Sequence, residues 1–251
     1  CLIYAAILTK LISLQIIKHA DYYERANSNS TRQITEQAPR GKIYDSTGAV
    51  LADSKQSYAI EYMETTESKK LIFKTLKEVF RLLDELGEVQ TDEFKLKIDD
   101  QNNFYMDYST SNPDSIRVLD LRIKKDRNLD YYLMKEIDYF KGRQQDSLSE
   151  EDAERLDNAI LEVTPQEMFY RLVKQYQIYK LLDPTEEELK LYEAMSGEEI
   201  TKILQESYSL QEIRSYMVVL DAMKMQSYTS YNPTTIASNI SNESAFVFMQ
   251  K

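Results

Sequence analysis

Apolar residues recur at two different spacings along this chain, and each spacing predicts its own kind of element. Short apolar runs separated by turn residues predict strands at Ile43–Tyr44, Val50–Ala52 and Tyr58–Tyr62. Over residues 67–86, apolar side chains return every three or four positions, which predicts an amphipathic helix that ends at Gly87. The pattern therefore changes from strand to helix shortly after the third run.

Farther along, the pattern predicts a hairpin, one more strand and one more helix. Phe94–Ile98 alternates apolar and polar residues and is followed by Phe104–Met106, so these two stretches are expected to pair. A further strand is expected from Ile116 to Ile123, and a short helix over residues 130–141. Residues 207–225 fit a helix or a strand equally well.

Helix-start signals dominate residues 149–206. Ser149, Thr164, Asp183 and Ser196 each precede acidic residues, and proline directly follows two of them. A capping oxygen accepts a hydrogen bond from a free amide of the first turn, and acidic residues there face the positive end of the helix dipole. The sequence therefore predicts four successive helices in this part of the chain.

The end of the chain and the composition complete the predicted fold class. Pro233–Ile240 predicts a strand, and Ser241 or Asn242 can cap a last short helix. Gly and Pro number only 5 each, which argues against a turn-dense all-β fold. We predict an α+β fold with an N-terminal stalk helix, a small β-sheet pedestal from residues 40–63 and 232–240, and a mainly helical inserted head.

The charge and the scarce reactive residues exclude several classes of function. The net charge is −11, and residues 144–206 contribute −10 of it, with 6 basic and 16 acidic groups. Such a surface repels phosphate, so no nucleic-acid partner is expected. The chain has one Cys, Cys1, and one His, His19, so common zinc sites cannot form. No catalytic motif is recognisable, and no catalytic residue, metal or cofactor is expected.

The first residues are apolar, and three interpretations of them stay open. Seventeen residues precede Lys18, and Lys10 interrupts them, whereas a spanning helix needs about 20 apolar residues. The chain begins with Cys1 and not with Met. The segment is expected to be the outer end of a membrane anchor whose first part is missing. The alternatives are an amphipathic helix packed on the domain and a lipoprotein with an acylated Cys1.

Residues 40–52 carry the most specific motif of the chain. They fit the pattern R-G-x-I-x-D-x-x-G-x-x-L-A. Its glycines permit unusual backbone angles, its apolar residues can pack a small sheet, and its arginine and aspartate can form a charge-assisted pair. The defining positions are Arg40, Gly41, Ile43, Asp45, Gly48, Leu51 and Ala52. This motif resembles the opening motif of class B penicillin-binding proteins.

A second stretch resembles the same family, most closely its elongation-type branch. Residues 231–241 are similar to the family's tyrosine–Pro-Val-Thr-Ile-Ala strand, through Pro233, Ile236 and Ala237. The sequence departs from the family pattern at Ser46, Thr47 and Thr234. The family's transpeptidase motifs Ser-x-x-Lys and Lys-Thr-Gly do not occur in the chain.

The resemblance implies a domain organisation and a role. Residues 1–37 would be an anchor remnant with a juxtamembrane helix, and residues 38–251 a pedestal or dimerisation domain whose helical head is inserted at 64–230. The chain itself would be non-catalytic, and its parent a membrane-anchored serine DD-transpeptidase of peptidoglycan, on the outer side of a bacterial membrane. The implied partners are the membrane, a polytopic glycosyltransferase, a scaffold protein of the wall-synthesis complex, and a second copy in a homodimer.

Two rival interpretations belong to other classes of protein. The chain could be an independent extracytoplasmic helical binding or scaffold protein, lipoprotein-like in its attachment. It could also be an enzyme with a pair of carboxylates within residues 144–206, which would require a deep acidic cleft.

Overall fold

The structure of the chain is a computed structural model, which describes Tyr4, Ile7, Lys10, Gln15, Lys18 and residues 41–53, 57–226 and 232–250. It divides into two compact units, residues 1–56 and residues 57–251. In the first unit, β1 (Ile43–Tyr44) and β2 (Val50–Ala52) form an antiparallel hairpin. The predicted anchor remnant and juxtamembrane helix fall mostly outside the described residues.

The second unit is mainly helical. Its described strands are β3 (Tyr58–Tyr62), β4 (Leu96–Ile98), β5 (Phe104–Met106) and β6 (Thr234–Ile240). Its helices are α1 (Thr66–Lys70), α2 (Ile72–Leu86), α3 (Pro113–Lys125), α4 (Leu129–Glu136), α5 (Glu150–Glu162), α6 (Pro165–Gln175), α7 (Glu186–Ala194), α8 (Gly197–Leu204), α9 (Leu210–Met225) and α10 (Asn242–Met249). Short 3₁₀ helices lie at Gln145–Ser147 and Ile178–Leu182. The predicted α+β class is confirmed.

The described strands form three separate antiparallel pairs. Among the described strands, β1 pairs with β2, β3 with β6, and β4 with β5. The single small sheet that we expected from residues 40–63 and 232–240 is therefore wrong, although each of its strands is present. The predicted hairpin of Phe94–Ile98 with Phe104–Met106 is confirmed in β4 and β5.

The core of the second unit lies where α2, α6 and α9 meet the β4–β5 hairpin and β6. Leu76, Leu96, Phe169, Ile213 and Ala237 come from these five elements, and each is fully buried. The ring of Phe104 in β5 packs against that of Phe169, with 5.0 Å between the centroids and 53° between the ring planes. One continuous set of apolar contacts thus joins strands and helices that are far apart in sequence.

The helix-start signals predicted some helices correctly and one at the wrong residue. Thr164 and Ser196 form capping boxes, with reciprocal bonds to the residue three positions on. Ser149 accepts a bond from the Asp152 amide, which begins α5. The start expected at Asp183 is wrong, because Thr185 caps α7 and Asp183 has a left-handed φ of 52°.

Three further differences have local causes. The strand expected from Ile116 to Ile123 is wrong, because Asn112 caps a helix whose first residue is Pro113. The helix expected over 67–86 is two helices, divided at Leu71, whose φ and ψ of −106° and 6° are not helical. The helix expected over 130–141 ends at Glu136.

Residues 207–225, for which helix and strand stayed open, contain α9, and a capping box at Ser209 begins this helix. The predictions for the strand and helix that follow, and for Gly87, are confirmed. Pro233–Ile240 contains β6, and Ser241 caps α10. Gly87 ends α2 with a left-handed φ of 68°, as its position after the last apolar residue predicts.

Candidate functional site

Residues 41–52 of the motif contain the β1–β2 hairpin, and Asp45 organises its turn. The Asp45 carboxylate accepts hydrogen bonds from the amides of Thr47 and Ala49, each at 2.8 Å, and from the Thr47 hydroxyl at 2.7 Å. These bonds, led by the hydroxyl, lower the pKa of Asp45. Gly48 has a positive φ of 86°, which a residue with a side chain resists. The motif therefore specifies a tight turn.

The other motif positions lie elsewhere in the hairpin. Arg40 falls outside the described residues, so its ion pair with Asp45 stays a prediction. Gly41 has no positive φ. Ile43 and Leu51 are exposed by 59% and 67%, and Ala52 is exposed too. The apolar motif residues thus do not line a core within the hairpin.

The second predicted group, in β6, lies at the root of the helical insertion. Ile236 and Ala237 are buried in the core, and Pro233 directly precedes the strand. In the antiparallel register, Ala237 is opposite Ile60 and Thr234 is opposite Tyr62. The chain consequently enters the helical part and leaves it at two paired residues. The head lies between these two strands in sequence and packs on them, and we call the β3–β6 pair the root.

Helix α9 ties the root to the head through a buried arginine. The Arg214 guanidinium donates to both Asp92 carboxylate oxygens, at 2.8 and 3.0 Å, and to the Leu96 carbonyl at 2.6 Å. One residue before Asp92, the Thr91 amide donates to the Ile236 carbonyl of β6 at 2.8 Å. The segment between α2 and β4 is therefore held by α9 on one side and by the root on the other.

The environment of Asp92 keeps it ionised. Its partial burial alone would raise the pKa, but hydrogen bonds from Arg214 and Lys97 outweigh burial and hold the pKa below its usual range. Lys97 lies 2.7 Å from the carboxylate. A carboxylate that is fixed as an acceptor between two cations is suited to structure and not to proton transfer.

A second buried pair joins α9 to the end of α3. Arg127 donates to both oxygens of Asp221, with distances of 2.7 and 2.6 Å, and to the Ile123 carbonyl at 2.8 Å. The Tyr176 hydroxyl donates to Asp221 at 2.7 Å. Burial, and then the neighbouring Asp221 charge, raise the pKa of Tyr176. The two opposite charges are paired with each other inside the core, so neither Arg127 nor Asp221 is free to act as an acid or a base.

The sequence reasoning missed these pairs, although α9 contains a signal for them. Arg214 and Asp221 are seven residues apart, which is close to two helical turns, so they lie on one side of α9. That side also carries the buried Val218. Two opposite charges on an apolar helix face indicate partners brought from elsewhere in the fold.

A groove with several lysines lies beside the root, and we call it the lysine groove. Its volume is about 910 Å³. It is bounded by the region where α1 meets α2, by the 3₁₀ helix Ile178–Leu182, by the end of α9 and by the chain just before β6. Its basic residues are Lys69, Lys70, Lys74, Lys77, Lys180 and Lys224, and its acidic ones are Glu64 and Asp183. Among the described residues that line it, no nucleophile and base converge as they would in an active site.

Within the described residues, no group of three or more His, Cys, Asp or Glu side chains is placed to hold a metal ion. None of the helices in the described part of the chain is long and apolar enough to cross a membrane.

Comparison with known proteins adds one finding. Residues 35–251 match the family model described as the penicillin-binding protein dimerisation domain. The match covers well over half of the chain and includes the hairpin, the root and the head. No curated protein matches the chain significantly.

Proposed function

Because the chain belongs to the family of penicillin-binding protein dimerisation domains, we propose that it is the non-catalytic pedestal of a membrane-anchored peptidoglycan DD-transpeptidase. In this proposal the complete protein is a serine transpeptidase of the bacterial cell membrane, with this region on the extracytoplasmic side. The pedestal positions the catalytic domain and contacts other proteins of cell-wall synthesis.

The observation that carries the proposal is the root. Tyr62 and Thr234 are paired neighbours, so the chain enters and leaves the head at one place. The head is therefore inserted without interrupting the connection from the residues before β3 to those after β6. Such a connection suits a spacer between an anchor and a catalytic domain.

The rigidity of the head supports the same proposal. Arg127 with Asp221, and Arg214 with Asp92, link α9 to segments more than 90 residues away in sequence. A spacer must hold its shape to fix the distance and orientation of what it carries, and buried charge pairs with two matched bonds specify one arrangement. The family description also supports a homodimer, and we propose a polytopic glycosyltransferase and a scaffold protein as further partners.

Fluorescent-penicillin labelling tests the proposal. The product of the complete reading frame and the present chain are each incubated with the reagent and compared after denaturing electrophoresis. The proposal predicts a labelled complete protein and an unlabelled chain, because only a serine transpeptidase domain forms the acyl-enzyme. A complete protein that stays unlabelled, while a known penicillin-binding protein in the same sample is labelled, would overturn it.

A further inference from the structure

The lysine groove is positively charged, whereas the chain as a whole is negatively charged. Six lysines and two carboxylates line it, so its local charge is +4, whereas the whole chain carries −11. At physiological salt the Debye length is about 8 Å, so a ligand inside the groove senses mainly these lysines. The groove is thus a place where an otherwise acidic protein attracts an anionic partner.

Most of these lysines form no ion pair within the described residues. Lys69 and Lys70 form exposed ion pairs with Glu64 and Glu67. Lys74, Lys180 and Lys224 form no ion pair with any carboxylate of the described residues.

Lys77 likewise lacks a carboxylate partner among the described residues, and its ammonium lies 3.3 Å from the Tyr208 hydroxyl. Three lysines, one on each of three walls of the groove, are therefore available to a ligand, and Lys77 adds a fourth positive charge while its ammonium donates to Tyr208.

Apolar side chains lie between the lysines. Leu71, at the break between α1 and α2, is exposed by 55%. Phe73, Leu220 and Met223 also line the groove and are only half-buried. A ligand made of charge alone would leave these side chains in water, so the groove favours a ligand with apolar groups beside its anionic ones.

We propose that the lysine groove binds an acidic amphipathic helix of a partner protein, whose carboxylates face the lysines and whose apolar side chains cover Leu71 and Met223. A cavity of about 910 Å³ is of the size that takes a small ligand, roughly 300–1,000 Å³. It accommodates a few side chains from one face of a helix, as helix-in-groove recognition requires. This inference stands on the groove and does not depend on the transpeptidase proposal.

A peptide-binding measurement on the whole chain tests the inference. The probe is a fluorescein-labelled peptide with leucines on one helical face and glutamates on the other, followed by fluorescence anisotropy. A scrambled peptide of the same composition has the same charge without an apolar face. The chain is predicted to bind the amphipathic peptide at least about tenfold more tightly than the scrambled one, because only the former covers the apolar side chains.

Charge reversal locates the binding. The groove variant carries Lys74→Glu, Lys77→Glu and Lys180→Glu, and the control carries Lys135→Glu, Lys141→Glu and Lys190→Glu, which are exposed lysines outside the groove. Both triple variants have the same net charge. The groove variant should bind the peptide at least about tenfold more weakly than the control, because three attractive pairs become repulsive.

The other possible occupants give distinct results, each of which would overturn the inference. Equal binding of both peptides would identify a general polyanion site. An equal loss of affinity for the amphipathic peptide in both triple variants would show that the net charge of the chain alone attracts the peptide. Binding to anionic vesicles that the groove variant abolishes, with no binding of the peptide, would identify a membrane surface. In a fourth outcome, sedimentation shows that the wild-type chain and the control are dimers and the groove variant a monomer. If the peptide also does not bind, the occupant of the groove is a second copy of the chain.

If the groove variant fails to fold by circular dichroism, Leu71→Gln provides the second test. Leu71 is largely exposed, so this change removes an apolar contact without emptying the core. It should weaken amphipathic-peptide binding several-fold and leave scrambled-peptide binding unchanged. An unchanged affinity for the amphipathic peptide would contradict a role for the apolar side chains.

Discussion

Replacing Arg127 with methionine should destabilise the head far more than losing an equally well-formed ion pair on the surface. Arg127 and Asp221 are exposed by only 8% and 6%, and two bonds of 2.7 and 2.6 Å join them. In Arg127→Met, the Asp221 carboxylate stays buried with the Tyr176 hydroxyl as its remaining described partner. Leaving one member of a buried pair uncompensated costs about 3–5 kcal/mol.

The double variant separates this penalty from the worth of the pair. Asp221→Leu alone leaves a buried guanidinium with the Ile123 carbonyl, so we expect a similar loss of about 3–5 kcal/mol. Arg127→Met with Asp221→Leu removes both charges and leaves the Tyr176 hydroxyl unpaired, at a cost of about 1–3 kcal/mol. The double variant should therefore be more stable than either single variant.

The matched control is Arg171→Met. Arg171 also makes two parallel bonds to a carboxylate, at 2.8 and 2.7 Å, but its partner Glu136 is 54% exposed. Its loss should cost less than about 1 kcal/mol. The assay is urea unfolding followed by far-ultraviolet circular dichroism, because the chain has no Trp. Equal midpoints for Arg127→Met and Arg171→Met, or a double variant less stable than both singles, would refute the reasoning.

Three further predictions concern stability. In Gly197→Ala the new Cβ would lie 1.9 Å from the Tyr170 carbonyl oxygen, so urea unfolding should show a loss of about 1–3 kcal/mol despite the better helix propensity of alanine. Asn112→Ala removes the cap of α3, and the same assay should show a loss of about 1 kcal/mol. The pKa of Asp92 is lower in the folded than in the unfolded chain. Its contribution to the free energy of unfolding is therefore fully present above the unfolded pKa of about 4 and is lost as the pH falls through the folded pKa. The difference in urea midpoint between wild type and Asp92→Asn should shrink below that pH.

Local signals predicted most of the secondary structure because they act within a few residues. The Thr164 and Ser196 caps, the Gly87 terminus and the strand-like run that contains β6 each involve neighbours along the chain. The failures share a cause as well. At Asn112 a cap and a following proline outweigh the strand-like apolar residues, and at Thr185 the true capping box begins two residues after the expected one.

Tertiary features were beyond the reach of the same reasoning. The two family-like stretches identified the hairpin and the root strand. No pattern of neighbouring residues, however, predicts the contact of Arg214 with Asp92 or that of Arg127 with Asp221, since each joins residues more than 90 positions apart. The lysine groove was missed for the same reason, since its walls come from three separate parts of the sequence. The net charge of −10 over residues 144–206 does not predict a positively charged groove.

The central claim is that the head positions a catalytic domain without taking part in its chemistry. The most direct measurement uses the complete protein with residues 64–230 replaced by a short Gly-Ser linker between the paired strands β3 and β6. The account predicts that the purified variant is acylated by penicillin at the rate of the intact protein, while cells that depend on it lose peptidoglycan cross-linking. Normal cross-linking in those cells, with acylation retained, would contradict the account.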